Sequence, residues 1–167
     1  MNRRDCIALG IGVAASVESG AVQTETPVPK LIEWPTLTLL GGGTIDPAQW
    51  QGHFSVLVLW ATWCPYCKRH NAHVDKLYRE AQGQSLRVLG ISIDADRQLV
   101  DRYMQSNGYS FPTALDTVGL RARLTARKSI PMTFVIDSRG RLAQTIPGEM
   151  SEEDVLAFAK LAKSAST

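Results

Sequence analysis

Covalent cross-linking can contribute little to this chain. Its 167 residues include three cysteines, and two of them, Cys64 and Cys67, close a loop too short to staple a fold. Aromatic residues are sparse at 7%, and the formal net charge is only +2. So small an excess supports neither nucleic acid nor an anionic membrane surface as a partner. No apolar run reaches the roughly 18–20 residues of a membrane-spanning helix. There is no dinucleotide-binding glycine pattern, no internal repeat and no low-complexity tract. Lys68, not histidine, follows Cys67, which excludes the haem-attachment motif. What is present, 44% hydrophobic and 20% charged residues, suffices for one ordinary core.

Residues 1–21 do not read as part of a fold. Arg3-Arg4, a mostly apolar stretch from Cys6 to Val17 and small residues ending at Ser19-Gly20-Ala21 follow the order of an export signal. The arginine pair also fits a twin-arginine signal, although Asp5 and Cys6 depart from the usual pattern. Two fates stay open: cleavage after Ala21, which removes Cys6, or retention as an N-terminal membrane anchor. The expected location is extracytoplasmic, the bacterial periplasm. Residues 22–34, broken by threonine and proline, read as a linker, and a single domain is expected over 35–167. In an oxidising compartment, so close a cysteine pair is a reagent rather than a brace.

Thr36 to Leu40 alternates and then meets Gly41-Gly42-Gly43, a strand running into a turn. Ser55 to Trp60 is continuously apolar, as in a strand buried on both faces. A helix is expected from Cys64, with Val74, Leu77, Tyr78 and Ala81 on its inner face and Gly83 at its end. Leu86 to Ile93 is the next buried strand. Asp94 is expected to cap the following helix, whose inner face carries Leu99, Val100, Tyr103 and Met104 and which stops at Asn107-Gly108. A short helix over Val118–Leu124, a strand over Thr133–Ile136 and a turn at Asp137–Gly140 follow. Leu142–Ile146 then returns as a hairpin partner, and Ser151 opens a last helix running to about Lys163. Strands alternating with helices predict an α/β fold with a central sheet covered on both faces.

The chemistry lies in Trp60-Ala61-Thr62-Trp63-Cys64-Pro65-Tyr66-Cys67-Lys68, at the junction of a buried strand and a helix. Disulfide exchange needs a thiolate, and a free cysteine is mostly protonated at neutral pH. The first turn of a helix offers unpaired N–H groups and the positive end of the helix dipole, which together stabilise an anion. Cys64 lies there, and Cys67 one turn later can reach the same sulfur. Pro65 fits a first turn, where its missing N–H is not needed. Lys68 and Arg69 add positive charge. The expected cycle is attack of the Cys64 thiolate on a substrate disulfide, then release of reduced substrate by Cys67. The reverse sequence would oxidise a substrate.

This motif resembles the active site of the thioredoxin superfamily, most closely its exported TlpA/ResA-like branch. The resemblance runs from about Leu37 to Lys163. Leu89-Gly90-Ile91-Ser92-Ile93-Asp94, Phe111-Pro112-Thr113-Ala114-Leu115-Asp116 and Ile130-Pro131-Met132-Thr133-Phe134-Val135-Ile136-Asp137 carry the rest of it. It implies a thioredoxin-like α/β fold, with a central mixed β-sheet flanked by helices and an N-terminal hairpin extension. It also implies a cis-proline loop at Ile130 and Pro131 beside the cysteines, shaping the substrate site together with Trp63, Pro65 and Tyr66. The sequence departs from the family in places. Val58 stands where thioredoxin itself has a buried aspartate, His70 where the branch often has glutamate, and Ala72 where a kinking proline is common. Pro65-Tyr66 between the cysteines is commonest in glutaredoxins.

Cys64, Cys67, His70 and His73 fall every third residue, but helix geometry argues against a four-ligand zinc site. Cys64 and His73 would lie ~180° apart around the helix and roughly 13 Å apart along it. No metal site is therefore expected, and the redox-active disulfide Cys64–Cys67 takes the place of a cofactor. A two-thiolate metallochaperone is the alternative from a different class. His70 is either a solvated surface residue or a group that tunes the pKa of Cys67. His53 and His73 are expected to be solvated, and Trp34, Trp50 and Trp60 to pack. Trp63 would shield the nucleophile. The Arg121, Arg123, Arg127 and Lys128 cluster reads as a solvated helix face, or else as a docking patch. The function expected is an exported thiol–disulfide oxidoreductase, a reductase of protein disulfides. An upstream thiol electron donor, soluble or membrane-bound, would re-reduce it. An oxidase of the same fold is the alternative within the class.

Overall fold

The glycine run at 41–43 does turn the chain. β1 (Leu37–Thr38) pairs antiparallel with β2 (Thr44–Ile45), and Gly42 and Gly43 adopt φ of 90° and 80°, which other residues rarely take. The strand is shorter than the alternation of 36–40 implies: Leu39 closes the turn through Gly43 O and also bridges Ala114, and the Leu40 N–H donates to Thr113 O at 2.8 Å. A 3₁₀ turn over Pro47–Trp50, not foreseen in the sequence, then buries Trp50. The structure is a computed structural model describing residues 30–160. The export segment, Cys6 and the expected end of the last helix at Lys163 lie outside the described residues.

β3 (Phe54–Trp60) leads into α1 (Pro65–Glu80), β4 (Leu86–Ser92) and α2 (Arg97–Asn107). β5 (Thr113–Leu115), α3 (Leu120–Leu124), β6 (Met132–Ile136), β7 (Leu142–Pro147) and α4 (Glu152–Leu156) complete the order. The five-stranded sheet runs β5-β4-β3-β6-β7. β3, β4 and β5 are parallel, and β6 and β7 are each antiparallel to their neighbours. This is the mixed, helix-flanked sheet expected of a thioredoxin-like fold.

Alternation along the strands divides the core. Val56, Val58 and Trp60 of β3 join Val74 and Leu77 of α1, Val100 of α2 and Val155 of α4 on one face. Leu57 and Leu59 join Phe134 of β6, Leu120 and Leu124 of α3, and Ile32, Leu37 and Trp50 on the other. Gly90 in β4 lets the first layer close. A Cβ there would meet Phe111, Trp60 and Thr113 side-chain atoms at 2.6, 2.8 and 2.9 Å.

Three expectations need correction. Asp94 does not cap α2; Asp96 does, accepting from Gln98 N–H at 2.8 Å. Leu99 does not face inward and is 42% exposed, since the helix turns Val100 to the core. Lys30 to Trp34 is not a linker. Leu31 bridges Arg141, the Ile32 N–H donates to Gly140 O at 2.9 Å, and the Leu142 N–H donates to Lys30 O at 2.8 Å. Ile32 is buried, and Trp34 stacks on Trp50 with centroids 4.4 Å apart. Burial of these apolar groups outweighs the extended, proline-broken local sequence.

Candidate active site

The buried strand β3 ends at Trp60, and the next three residues swing Cys64 to the helix entrance. Asp94, at the end of β4, fixes that loop. Its carboxylate accepts from Thr62 N–H at 2.9 Å and Thr62 Oγ1 at 2.8 Å, and from Ser92 Oγ at 2.7 Å. Cys64 is the N-cap of α1, with extended backbone, and the Cys67 N–H donates to Cys64 Sγ at 3.1 Å. The sulfur thus receives the hydrogen bond that a capping oxygen would normally accept. Pro65 fills N1, as its missing N–H allows. Cys64 and Cys67 are joined by a disulfide with Cα atoms 5.2 Å apart.

The Ile130–Pro131 bond is cis, and Ile130 O lies 4.0 Å from Cys64 Sγ. The loop before β6 therefore sits against the cysteine pair, as the resemblance implied. Cys67 is fully buried, whereas Cys64 keeps 5% of its surface. Trp63 and Tyr66 flank Cys64 and are 68% and 58% exposed, so they form an apolar rim rather than core. Trp60 is core. Arg69 is not a free positive charge beside the thiols. It lies over the Tyr66 ring at 5.1 Å and grips Glu149 through both carboxylate oxygens at 2.7 and 2.6 Å, holding that carboxyl below the usual range.

His70 is not on the surface. It has no exposed area, and it points into the sheet face between α1 and β6. Its Nδ1 accepts from the Met150 N–H at 3.2 Å, which leaves the proton on Nε2 to donate to Thr133 Oγ1 at 3.0 Å. Burial, reinforced by the nearby His73, pushes its pKa down to about 4 against the opposing pull of Glu149. The imidazole is therefore neutral through the physiological range. His73 and His53 are half-buried rather than solvated. His73 Nδ1 lies 3.2 Å from Met150 O and its Nε2 3.9 Å from Glu152, while His53 Nε2 lies 3.5 Å from Arg87. Both ring nitrogens of His70 and those of His73 are directed at α4 and its loop or at β6, not toward the cysteines.

The basic cluster is divided in its use. Arg123 donates to Glu33 O at 3.0 Å, Lys30 donates to Arg123 O at 2.7 Å, and Arg121 donates to Arg127 O at 3.3 Å. The first two clamp the N-terminal segment to α3, while the Arg127 and Lys128 side chains stay exposed beside the Ile130–Pro131 loop. Sequence reasoning missed the positioning role of Asp94, for which Ser92-x-Asp94 after a buried strand was the available signal. It also missed Glu149 and Thr133, which are brought in from β6 and the loop after β7 and leave no local signature.

The arrangement suits thiol–disulfide exchange: a less buried sulfur at a helix N-terminus, a fully buried partner one turn on, and an adjacent backbone carbonyl. Comparison with known proteins agrees. A ResA thiol–disulfide oxidoreductase from Halalkalibacterium halodurans is 30% identical over 125 residues, 74% of this chain and 70% of the relative. One from Geobacillus thermodenitrificans is 27% identical over 150 residues, 89% of this chain and 84% of the relative. The fold matches the crystal structure of a thioredoxin-family thiol:disulfide interchange protein from Chlorobium tepidum with a TM-score of 0.74, at 23% identity over 81% of this chain and 97% of the other. Residues 30–145 match the AhpC/TSA family. The chain belongs to that family, with a thioredoxin-like fold, and is a thiol–disulfide oxidoreductase.

Proposed function

We propose that this protein is an exported reductase of protein disulfides, with Cys64 as nucleophile and Cys67 as resolving thiol. The observation that carries the assignment is the 3.1 Å bond from Cys67 N–H to Cys64 Sγ at the helix N-cap, combined with the complete burial of Cys67. That bond and the helix dipole favour a thiolate at Cys64. Cys64 attacks the substrate disulfide, one substrate sulfur leaves as a thiolate, and Cys67 then displaces the other. The exposed rings of Trp63 and Tyr66, with Ile130 O, offer apolar contact and a hydrogen-bond acceptor to an extended segment around a protein disulfide. The N-terminal order of arginines, apolar stretch and small residues supports export. Another thiol protein, soluble or membrane-bound, returns the electrons. The two relatives' shared name, thiol–disulfide oxidoreductase, supports the class of reaction and leaves its direction to experiment.

Equilibration with glutathione or dithiothreitol gives the direction. A potential near that of thioredoxin, about −270 mV, is expected, and one near about −120 mV would make the protein an oxidase. In the reduced protein Cys64 should be alkylated first, and Cys67→Ser should trap substrate as a mixed disulfide on Cys64. First alkylation at Cys67 would reverse the two roles.

A further inference from the structure

Two fully buried polar side chains, His70 and Asn71, sit one helical turn below Cys67. His70 has both ring nitrogens committed to Met150 and Thr133. Asn71 is the opposite case. Neither its Oδ1 nor its Nδ2 has a hydrogen-bond partner among the described residues, although the side chain has no exposed area. A buried carboxamide with nothing to bond is costly and needs a reason.

Helix geometry indicates which group Asn71 can serve. Residues 67 and 71 are i and i+4 neighbours, with Cβ atoms about 5–6 Å apart. Helical side chains lean toward the N-terminus, so the carboxamide is within reach of the turn that holds Cys67. In the disulfide, Cys67 Sγ is bonded to Cys64 and Asn71 makes no bond to it. Reduction changes the demand. Cys64 keeps the Cys67 N–H, while the Cys67 sulfur becomes a separate, buried thiol or thiolate.

We propose that Asn71 is the hydrogen-bond donor to the Cys67 sulfur in the reduced protein, poised by the fold and used only when the disulfide opens. In the resolving step the Cys67 thiolate attacks the Cys64 sulfur of the mixed disulfide. The Cys64–Cys67 bond forms and the Cys64–substrate bond breaks, with the electron pair on the substrate sulfur. The proton that Cys67 gives up is matched by one taken up by the leaving thiolate. Donation from Nδ2–H raises the fraction of Cys67 ready to attack. Because the bond exists only in the reduced form, it also favours that form over the disulfide. The inference needs Cys67 as a free thiol but not the direction of electron flow.

Nearby ionisable groups do not compete for this role. His70 stays neutral, and burial raises the pKa of Tyr103 and pushes that of Tyr109 up to about 12. Asp75 is held by Ser110 and Arg79, and Asp94 by Thr62 and Ser92. Lys68 is exposed, and Arg69 and His73 face Glu149 and α4.

The test uses the Cys6→Ser, Cys64→Ser protein, in which Cys67 is the one remaining cysteine and its thiolate is followed by ultraviolet absorbance. Asn71→Leu should raise the Cys67 pKa by about one unit, a tenfold loss of thiolate. Asn71→Asp should raise it further, because a carboxylate repels the thiolate. In the protein with both cysteines, at a pH above the Cys67 pKa where the reduced pair carries that thiolate, Asn71→Leu should make the pair about tenfold more reducing against glutathione, about 30 mV. Circular dichroism checks each fold, and Asn71→Ala reads the same titration should leucine disrupt packing. Superimposable titrations of parent and variants would overturn the proposal. A shifted titration in a protein inactive toward disulfides would leave it standing and remove the reductase assignment instead.

Discussion

A buried imidazole weakens a fold only when it must take up a proton. His70 in the unfolded chain titrates near the ordinary value of about 6.5, and in the fold at about 4. Between those values the unfolded chain binds a proton that the native chain refuses, so stability falls as pH drops through this window and levels off below it. The difference amounts to about 3 kcal/mol by pH 4. Urea unfolding should show that loss in the wild type relative to His70→Gln, while the two proteins share one pH–rate profile for mixed-disulfide resolution from pH 5 to 8. A profile that changes with the substitution would restore His70 to the chemistry. The spacing from Cys67 put His70 one turn away, but spacing does not say where a ring points. Met150 and Thr133 decide that, from segments 80 and 63 residues distant in sequence.

Elements in this protein were legible wherever burial follows the local period. β3, with both faces covered, stands out as an unbroken apolar run, and the Gly108 stop of α2 adopts φ of 67° as a helix-terminating glycine does. The 3₁₀ turn and the choice of Asp96 over Asp94 were not legible, since both aspartates suit a cap and Thr62, 32 residues away, claims Asp94. Gly90 gives the sharpest test at this scale. Gly90→Ala places a methyl group against Phe111, Trp60 and Thr113 at under 3.0 Å. A loss of about 1–3 kcal/mol in urea unfolding is expected from such overpacking. Gly41→Ala, with nothing within 4 Å of the added carbon, should be close to neutral. Equal effects at the two sites would mean that the β4–α2 layer yields more readily than its contacts indicate.

At the scale of the whole molecule, the domain begins before the residues that look folded. A chain starting at Pro35 loses the buried Ile32 side chain and the Trp34–Trp50 stack. That should cost about 2 kcal/mol or more relative to a chain starting at Pro29. Cys64 alkylation in the folded state should not change, because the lost segment pairs beside Arg141, at the end of the β6–β7 hairpin opposite Pro131. A change in alkylation rate would show that the N-terminal segment reaches the site. The sequence by itself determined the reactive pair and the strand–helix junction that carries it, because these depend on groups a few residues apart. Pro131, 64 residues beyond Cys67, was expected beside the pair only from the family resemblance, and the fold brings it there. Only the tertiary structure decided that Arg69 is neutralised by Glu149, that His70 is a buried tie, that Asn71 is left unpartnered among the described residues one turn from Cys67 and that Lys30–Trp34 belongs to the domain. Each of these depends on which distant backbone or side chain occupies the neighbouring space, and local periodicity carries no information about that.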